Sequence, residues 1–260
     1  WGLLMATGLA PHQDLLVTTS IRFLTTVAAS VHHALFASPS VMQNVCEKII
    51  APNVQLLAHD EELFEDNPFE YIRRDVEGSD TDTRRRVSCD LVRALCRNHE
   101  SAVTALFSAY IARLLGQAAA SAEAWKAKDA AVYLVIALSV KGATARLGAT
   151  QTNPLVNIAE FFGTSVLPEL QAAAGGAAPS SQPVLLADAI KFVTTFRAQL
   201  PRETYATLFP LLGGLLAHKA PVVHTYAANA IERMLSVKEA DGSHRFGAAQ
   251  LAPLLQPVLT

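Results

Sequence analysis

The sequence predicts an all-α fold: a right-handed α-solenoid of about five stacked helix pairs. Three observations predict it. Apolar residues recur at three- and four-residue steps, with no strict alternation long enough for a strand. Helix starts fall at repeat-like intervals. A phrase of apolar residues followed by proline returns in several helices.

Val17, Ile21, Leu24, Val27 and Val31 set the first period, and Val87, Leu91 and Leu95 the next. Val132, Val135 and Ile136, then Ile190, Val193 and Phe196, continue it. These runs place first helices at 14–36, 82–97, 123–140, 183–200 and 221–237, and second helices at 40–57, 101–119, 154–171, 202–218 and 246–260. First helices therefore start at steps of 68, 41, 60 and 38 residues. The two short steps match the ~40–47-residue unit of HEAT and armadillo repeats, and the two long ones require insertions. The proline phrase is Ile49-Ile50 before Pro52, Val166-Leu167 before Pro168, Leu208-Phe209 before Pro210, and Leu251-Ala252 before Pro253. A proline within a helix removes a backbone donor and bends the axis, which suits a curved superhelix. Pro39, Pro154, Pro183, Pro201 and Pro221 mark helix openings.

Composition agrees. Of 260 residues, 51% are hydrophobic and 17% charged, enough apolar material for a continuous core. The net charge of −2 supplies no basic field for nucleic acid or an anionic membrane, so neither is expected as a partner. The longest mostly apolar run, 130–140, falls short of the ~18 residues of a spanning helix. Three cysteines, Cys46, Cys89 and Cys96, form neither a disulfide framework nor a zinc knuckle and read as buried small hydrophobes. The chain opens at Trp1 and stops inside an apolar run, so it is expected to be an interior piece of a longer protein.

Two segments interrupt the repeats. Residues 172–182 read as a flexible Ala/Gly/Ser linker. Residues 58–82 form an acidic, aromatic insertion. Ten acids and five arginines share residues 60–86, a local charge of −5 that leaves the rest of the chain at +3. The insertion also carries Leu63, Phe64, Phe69, Tyr71 and Ile72, which a solvated tether would not need, so it is expected to fold and dock. Acidic patches steer basic partners to a surface. The alternative is a solvated loop whose acids pair with its own arginines.

The run from Asp60 to Asp80, through Glu65-Asp66-Asn67-Pro68-Phe69-Glu70-Tyr71-Ile72-Arg73-Arg74-Asp75, resembles the insertion of the CAS exportins. These are the importin-α re-export receptors of the importin-β superfamily. The resemblance extends through Arg84-Arg85-Arg86, the helix from Cys89 to Cys96, Trp125 to Val135, and Val222 to Ala228. It implies a HEAT superhelix that binds importin-α together with Ran–GTP in the nucleus, meets nuclear pore proteins, and shuttles between nucleus and cytoplasm. GTP would enter only as part of bound Ran. The resemblance makes Asp60, Glu61, Glu62, Glu65, Asp66, Glu70 and Asp75 candidates for an acidic partner surface. Arg73, Arg74, Arg84 and Arg85 are candidates to clamp carboxylates of the insertion or of importin-α. Phe64, Tyr71 and Ile72 are expected to anchor the insertion.

Catalytic and metal motifs are not apparent. His32 and His33 are adjacent rather than four apart, and the glycine pairs 175–176 and 213–214 precede no Lys-Ser/Thr. No G-x-S-x-G elbow occurs, and exposed, mutually repelling carboxylates make a poor acid–base site. We therefore expect no enzyme, no metal and no cofactor. The competing reading is a HEAT or armadillo scaffold subunit of another assembly, such as a phosphatase or coat subunit.

Overall fold

The computed structural model describes residues 2–76, 83–144, 146–174, 182–238, 242–243 and 245–246. The expected final helix, 246–260, the acids Glu77, Asp80 and Asp82, and linker residues 175–181 lie outside these residues, apart from Phe246. The described chain is helical throughout except for one two-stranded hairpin. It divides into two compact units, residues 1–141 with 153–156, and residues 142–152 with 157–260.

In the first unit, a short α1 (Gly2–Ala6) leads to α2 (Asp14–Ala29). Val17, Ile21, Leu24 and Ala28 of α2 are buried, so the inward face follows the expected spacing as far as Leu24; Val27 is half-buried, and Val31, expected on the same face, lies beyond the helix end at Ala29 and is 87% exposed. A 3₁₀ turn at His33–Phe36 precedes α3, which starts at Pro39–Asn44, widens into a π turn at Val45–Ile50, and resumes at Ala51–Asn53. Pro52 lacks an N–H and its ring presses on the carbonyl four residues back, so the preceding turn opens to the wider bonding pattern. The insertion follows as a helical hairpin, α4 (Ala58–Asp66) and α5 (Pro68–Val76).

Next comes α6 (Arg84–Ala120), capped by Thr83, whose hydroxyl accepts from the Arg86 N–H at 3.1 Å. The sequence predicts two helices here, meeting near residue 99. The structure joins them as one 37-residue helix broken only at His99, with φ −133° and ψ 32°. The His99 ring nitrogen Nε2 reaches the His33 carbonyl at 3.0 Å, which ties the break to the 3₁₀ turn after α2. Helix α7 (Trp125–Ser139) packs against α6, and α6 also packs against α2 and α3. From Ala130 to Leu138 every α7 residue is buried, a helix apolar on all sides because neighbours surround it.

The second unit holds β1 (Val140–Thr144, beginning at the unit boundary) and β2 (Gly148–Thr152). This hairpin was not expected: Val-Lys-Gly-Ala-Thr and Gly-Ala-Thr-Gln-Thr hold four β-branched residues, Val140, Thr144, Thr150 and Thr152, but no apolar alternation to mark a buried strand face. Gly148 adopts φ +74°, and a Cβ there would lie 2.3 Å from the Thr195 carbonyl oxygen, so only glycine fits. Helix α8 runs through Ile158–Phe161, a second π turn at Phe162–Val166, and Leu167–Ala174. That π turn also stands two residues before a proline, Pro168. It begins at Ile158 rather than at Pro154, because the Asn157 side chain caps it by accepting from the Glu160 N–H at 3.1 Å. Its last residues include Ala172–Ala174, the start of the expected linker.

Helices α9 (Pro183–Phe196), α10 (Thr204–Leu215) and α11 (Pro221–Leu235) complete the unit. α9 packs on α11 and on α8, and α10 packs on α8 and α11. Pro210 sits inside α10 without a π turn, so the proline phrase has two structural outcomes. Phe192 lies 5.5 Å from Phe161 and 4.7 Å from Phe196, forming the aromatic centre of this core. All three cysteines are free and buried, and burial pushes the Cys46 and Cys96 thiols up to about 12.

Candidate interaction surface

The insertion is built on its own small core. Phe64 of α4 is buried and meets Tyr71 of α5 edge-on, ring centroids 5.0 Å apart. The pair closes the hairpin, while Ile72 is half-buried. Phe69, in the first turn of α5, is 77% exposed.

The acids divide by what they already hold. Asp60 is occupied with its own helix: its carboxylate accepts the Leu57 N–H at 3.2 Å, a first-turn cap. His59 Nε2 also lies 3.6 Å from Asp60 and 3.5 Å from Asp14. Glu61 pairs with Lys126 at the start of α7. Glu70 pairs with Arg74 at 2.9 Å and Arg73 at 3.1 Å, and these bonds, Arg74 first, hold its carboxyl below the ordinary 4.5. Glu62, Glu65 and Asp66 are exposed and have no ion pair among the described residues. Asp75 is half-buried on α5.

The arginines divide more sharply. Arg73 is exposed and Arg74 half-buried on α5. Arg84 and Arg85, expected as partner clamps, are core residues instead, 4% and 8% exposed. Arg84 donates through Nε to Asp14 at 2.6 Å, through Nη1 to the Gly8 carbonyl at 3.0 Å and Asn53 Oδ1 at 3.1 Å, and through Nη2 to the Ala10 carbonyl at 3.1 Å. Arg85 makes a fork on Asp129 at 2.9 and 2.5 Å, donates to the Val54 carbonyl at 2.9 Å, and stacks 4.2 Å above the Tyr133 ring. They do clamp carboxylates, but those of α2 and α7, 70 and 44 residues away in sequence. Five donors in a rigid fork satisfy several buried acceptors at once, which lysine could not do. In the sequence, both arginines look like counter-ions to the neighbouring acids. Nothing local distinguishes them, since their partners are distant.

Among the described residues, no cluster of three His, Cys, Asp or Glu side chains is grouped to hold a metal. The surface therefore offers fixed negative charge on a short, self-packed hairpin beside a rigid repeat. Such a surface can bind cations of a partner by long-range attraction and release them with salt.

Residues 1–231 match the family model described as Cse1. The chain belongs to the Cse1 family. It is 46% identical to the Exportin-2 of Bos taurus over 262 residues and 45% identical to that of Homo sapiens, and each match covers the whole of this chain. The chain spans about a quarter of those relatives, 27% of each. A solved structure described as the exportin Cse1 in its cargo-free, cytoplasmic state superposes with a TM-score of 0.83 at 40% identity. That superposition covers 90% of this chain and 25% of the other. The Cse1-family fold is thus the all-α, HEAT-type architecture that the spacing of apolar residues predicts.

Proposed function

We propose that this chain is part of a nuclear export receptor that binds importin-α together with Ran–GTP and returns it to the cytoplasm. It acts as a carrier, without a reaction of its own, and shuttles through the pore in contact with nuclear pore proteins. Full-chain matches to proteins named exportins support the reading. The observation that carries it locally is the row Glu62, Glu65 and Asp66, exposed on α4 and uncompensated among the described residues. Three like charges on one turn-and-a-half of helix repel one another and lower local stability, a cost that a basic partner would offset.

In this reading, the row sets encounter and orientation with a basic face of Ran–GTP or importin-α. Glu70, Arg73, Arg74 and Asp75 on α5 form the adjoining mixed-charge face. Asp60 and Glu61 contribute chiefly by folding and holding α4. Carrier action then follows linkage: each ligand favours the receptor shape it binds better, and only by that difference in affinity.

The test uses the whole receptor with Ran–GTP and importin-α. Replacing Glu62, Glu65 and Asp66 by Gln, Gln and Asn should slow association several-fold at low salt and little at high salt, with dissociation nearly unchanged. If the parent receptor binds neither protein, alone or together, the receptor reading fails. If it binds both at an on-rate that this substitution leaves unchanged at low salt, the assignment of the acidic row fails.

A further inference from the structure

The insertion leaves the repeat at Val54 and re-enters it at Arg84, and its two ends are tied to each other. Arg84 donates to Asn53 Oδ1 and Arg85 to the Val54 carbonyl, in each case across 31 residues. Asn53 is locked in turn, since its Nδ2 donates to the Ile49 carbonyl at 2.7 Å. These bonds are buried, and the same two guanidinium groups also pair with Asp14, which is partly exposed, and with Asp129, which is buried. Helices α4 and α5 therefore stand on an excursion whose base is closed by these bonds. Beyond the base, α4 touches the repeat through solvated charge, and there His59 Nε2 lies 3.5 Å from Asp14. Glu61 meets Lys126, with the two side chains 31% and 43% exposed. The hairpin has its own internal contact, Phe64 on Tyr71.

We propose that the Glu61–Lys126 pair is an ionic latch, and that α4–α5 is an arm that lifts from the start of α7 as a folded unit while its base stays clasped. The base is held by buried forks and α4 by solvated charge. Fork-shaped bonds sealed from water at the base hold in salt. A half-exposed pair is screened within about 10 Å at 0.1 M and about 3 Å at 1 M ionic strength, and it costs two long side chains their freedom. Opening breaks two solvated contacts, Glu61 with Lys126 and the 3.5 Å approach of His59 to Asp14, and leaves the base bonds made. Lifting also frees the Glu61 carboxylate, which lies one residue before Glu62, so release enlarges the acidic row. Any cation that competes for Glu61, or any anion that competes for Lys126, opens the latch.

Trp125 reports on it, because the Lys126 ammonium lies 5.5 Å from the indole centroid. The chain has two tryptophans, so the measurement is made in a Trp1→Phe background. Glu61→Gln should raise acrylamide quenching of Trp125, with the open fraction rising roughly 1.4- to 5-fold, the span of an exposed pair. Lys126→Gln should give a similar increase, and the double variant no more than either single. In 1 M NaCl the parent should behave like the variants and the double variant should not change further. Amide protection in α4, α5, α6 and α7 should stay at parent levels throughout. Unchanged quenching in Glu61→Gln, or additive effects in the double variant, would overturn the latch. Loss of protection in α4–α5 would show that the hairpin melts rather than lifts, and would overturn the arm.

Discussion

Replacing Arg85 by alanine tests the central claim about the first unit, that α3, the insertion base and α7 are joined through one guanidinium. In the native chain Arg85 satisfies both oxygens of Asp129, which is fully buried, and also the Val54 carbonyl. Removing the cation leaves a carboxylate with no solvent and no counter-charge, a change that costs about 3–5 kcal/mol. Loss of the stack over Tyr133 adds up to about 2 kcal/mol where the contact is desolvated. At about 2–4 °C per kcal/mol, the electrostatic part alone lowers the melting temperature by about 6–20 °C. Urea unfolding followed by circular dichroism, in a cycle of Arg85→Ala, Asp129→Ala and both together, isolates the pair. The double variant should lose far less than the sum of the singles. Arg85→Met with Asp129→Leu should approach the parent, because an apolar pair of similar volume avoids the desolvation of two charges. Single-variant losses that simply add, or an Arg85→Ala loss under about 1 kcal/mol, would refute the buried clamp.

Two further predictions concern the backbone and the thiols. Gly148→Ala should destabilise the second unit by at least about 1–3 kcal/mol of backbone strain, since the new methyl would also meet the Thr195 carbonyl oxygen; a thermal melt that matches the parent contradicts the φ of +74°. Cys46 and Cys96 titrate from an ordinary 9.0 up to about 12 in the folded chain. The unfolded thiols ionise first, so this contribution to stability is complete below about pH 9 and is lost as pH rises from there towards about 12. Stability against urea should therefore fall across that window, and iodoacetamide at pH 8 should label neither thiol in the native chain; fast labelling of either one contradicts its burial.

The paired helices were legible because their signal is local. Val17, Ile21 and Leu24, or Ile190, Val193 and Phe196, announce one buried face at helical spacing, and the structure buries them. Even the break at His99 lies between the two expected helices. The β hairpin was not legible, because its shape comes from resting on α9 through Gly148 and a bond from Gln199 to the Ala149 carbonyl, not from an alternation of apolar residues. The surface was legible as a patch but not residue by residue. Glu62 and Glu65 look like Glu61 in the sequence, yet only Glu61 lies within reach of Lys126, 65 residues on. Arg84 and Arg85 show the same limit from the other side: a charged residue inside an acidic window gives no sign that it points inward to Asp14 and Asp129.

The π turns before Pro52 and Pro168 change how a core line can be written into a chain. Met42, Cys46, Ile50 and Val54 are all buried, stepping by four each time, and Phe162, Val166 and Leu170 do the same. At ~3.6 residues per turn, a strict count of four drifts about 40° with each step and would soon carry the line off its neighbour. One widened turn takes up the surplus residue and resets the phase. The line stays straight beyond the proline, and a four-by-four rhythm of buried side chains followed by proline becomes a written mark of where the coil loosens.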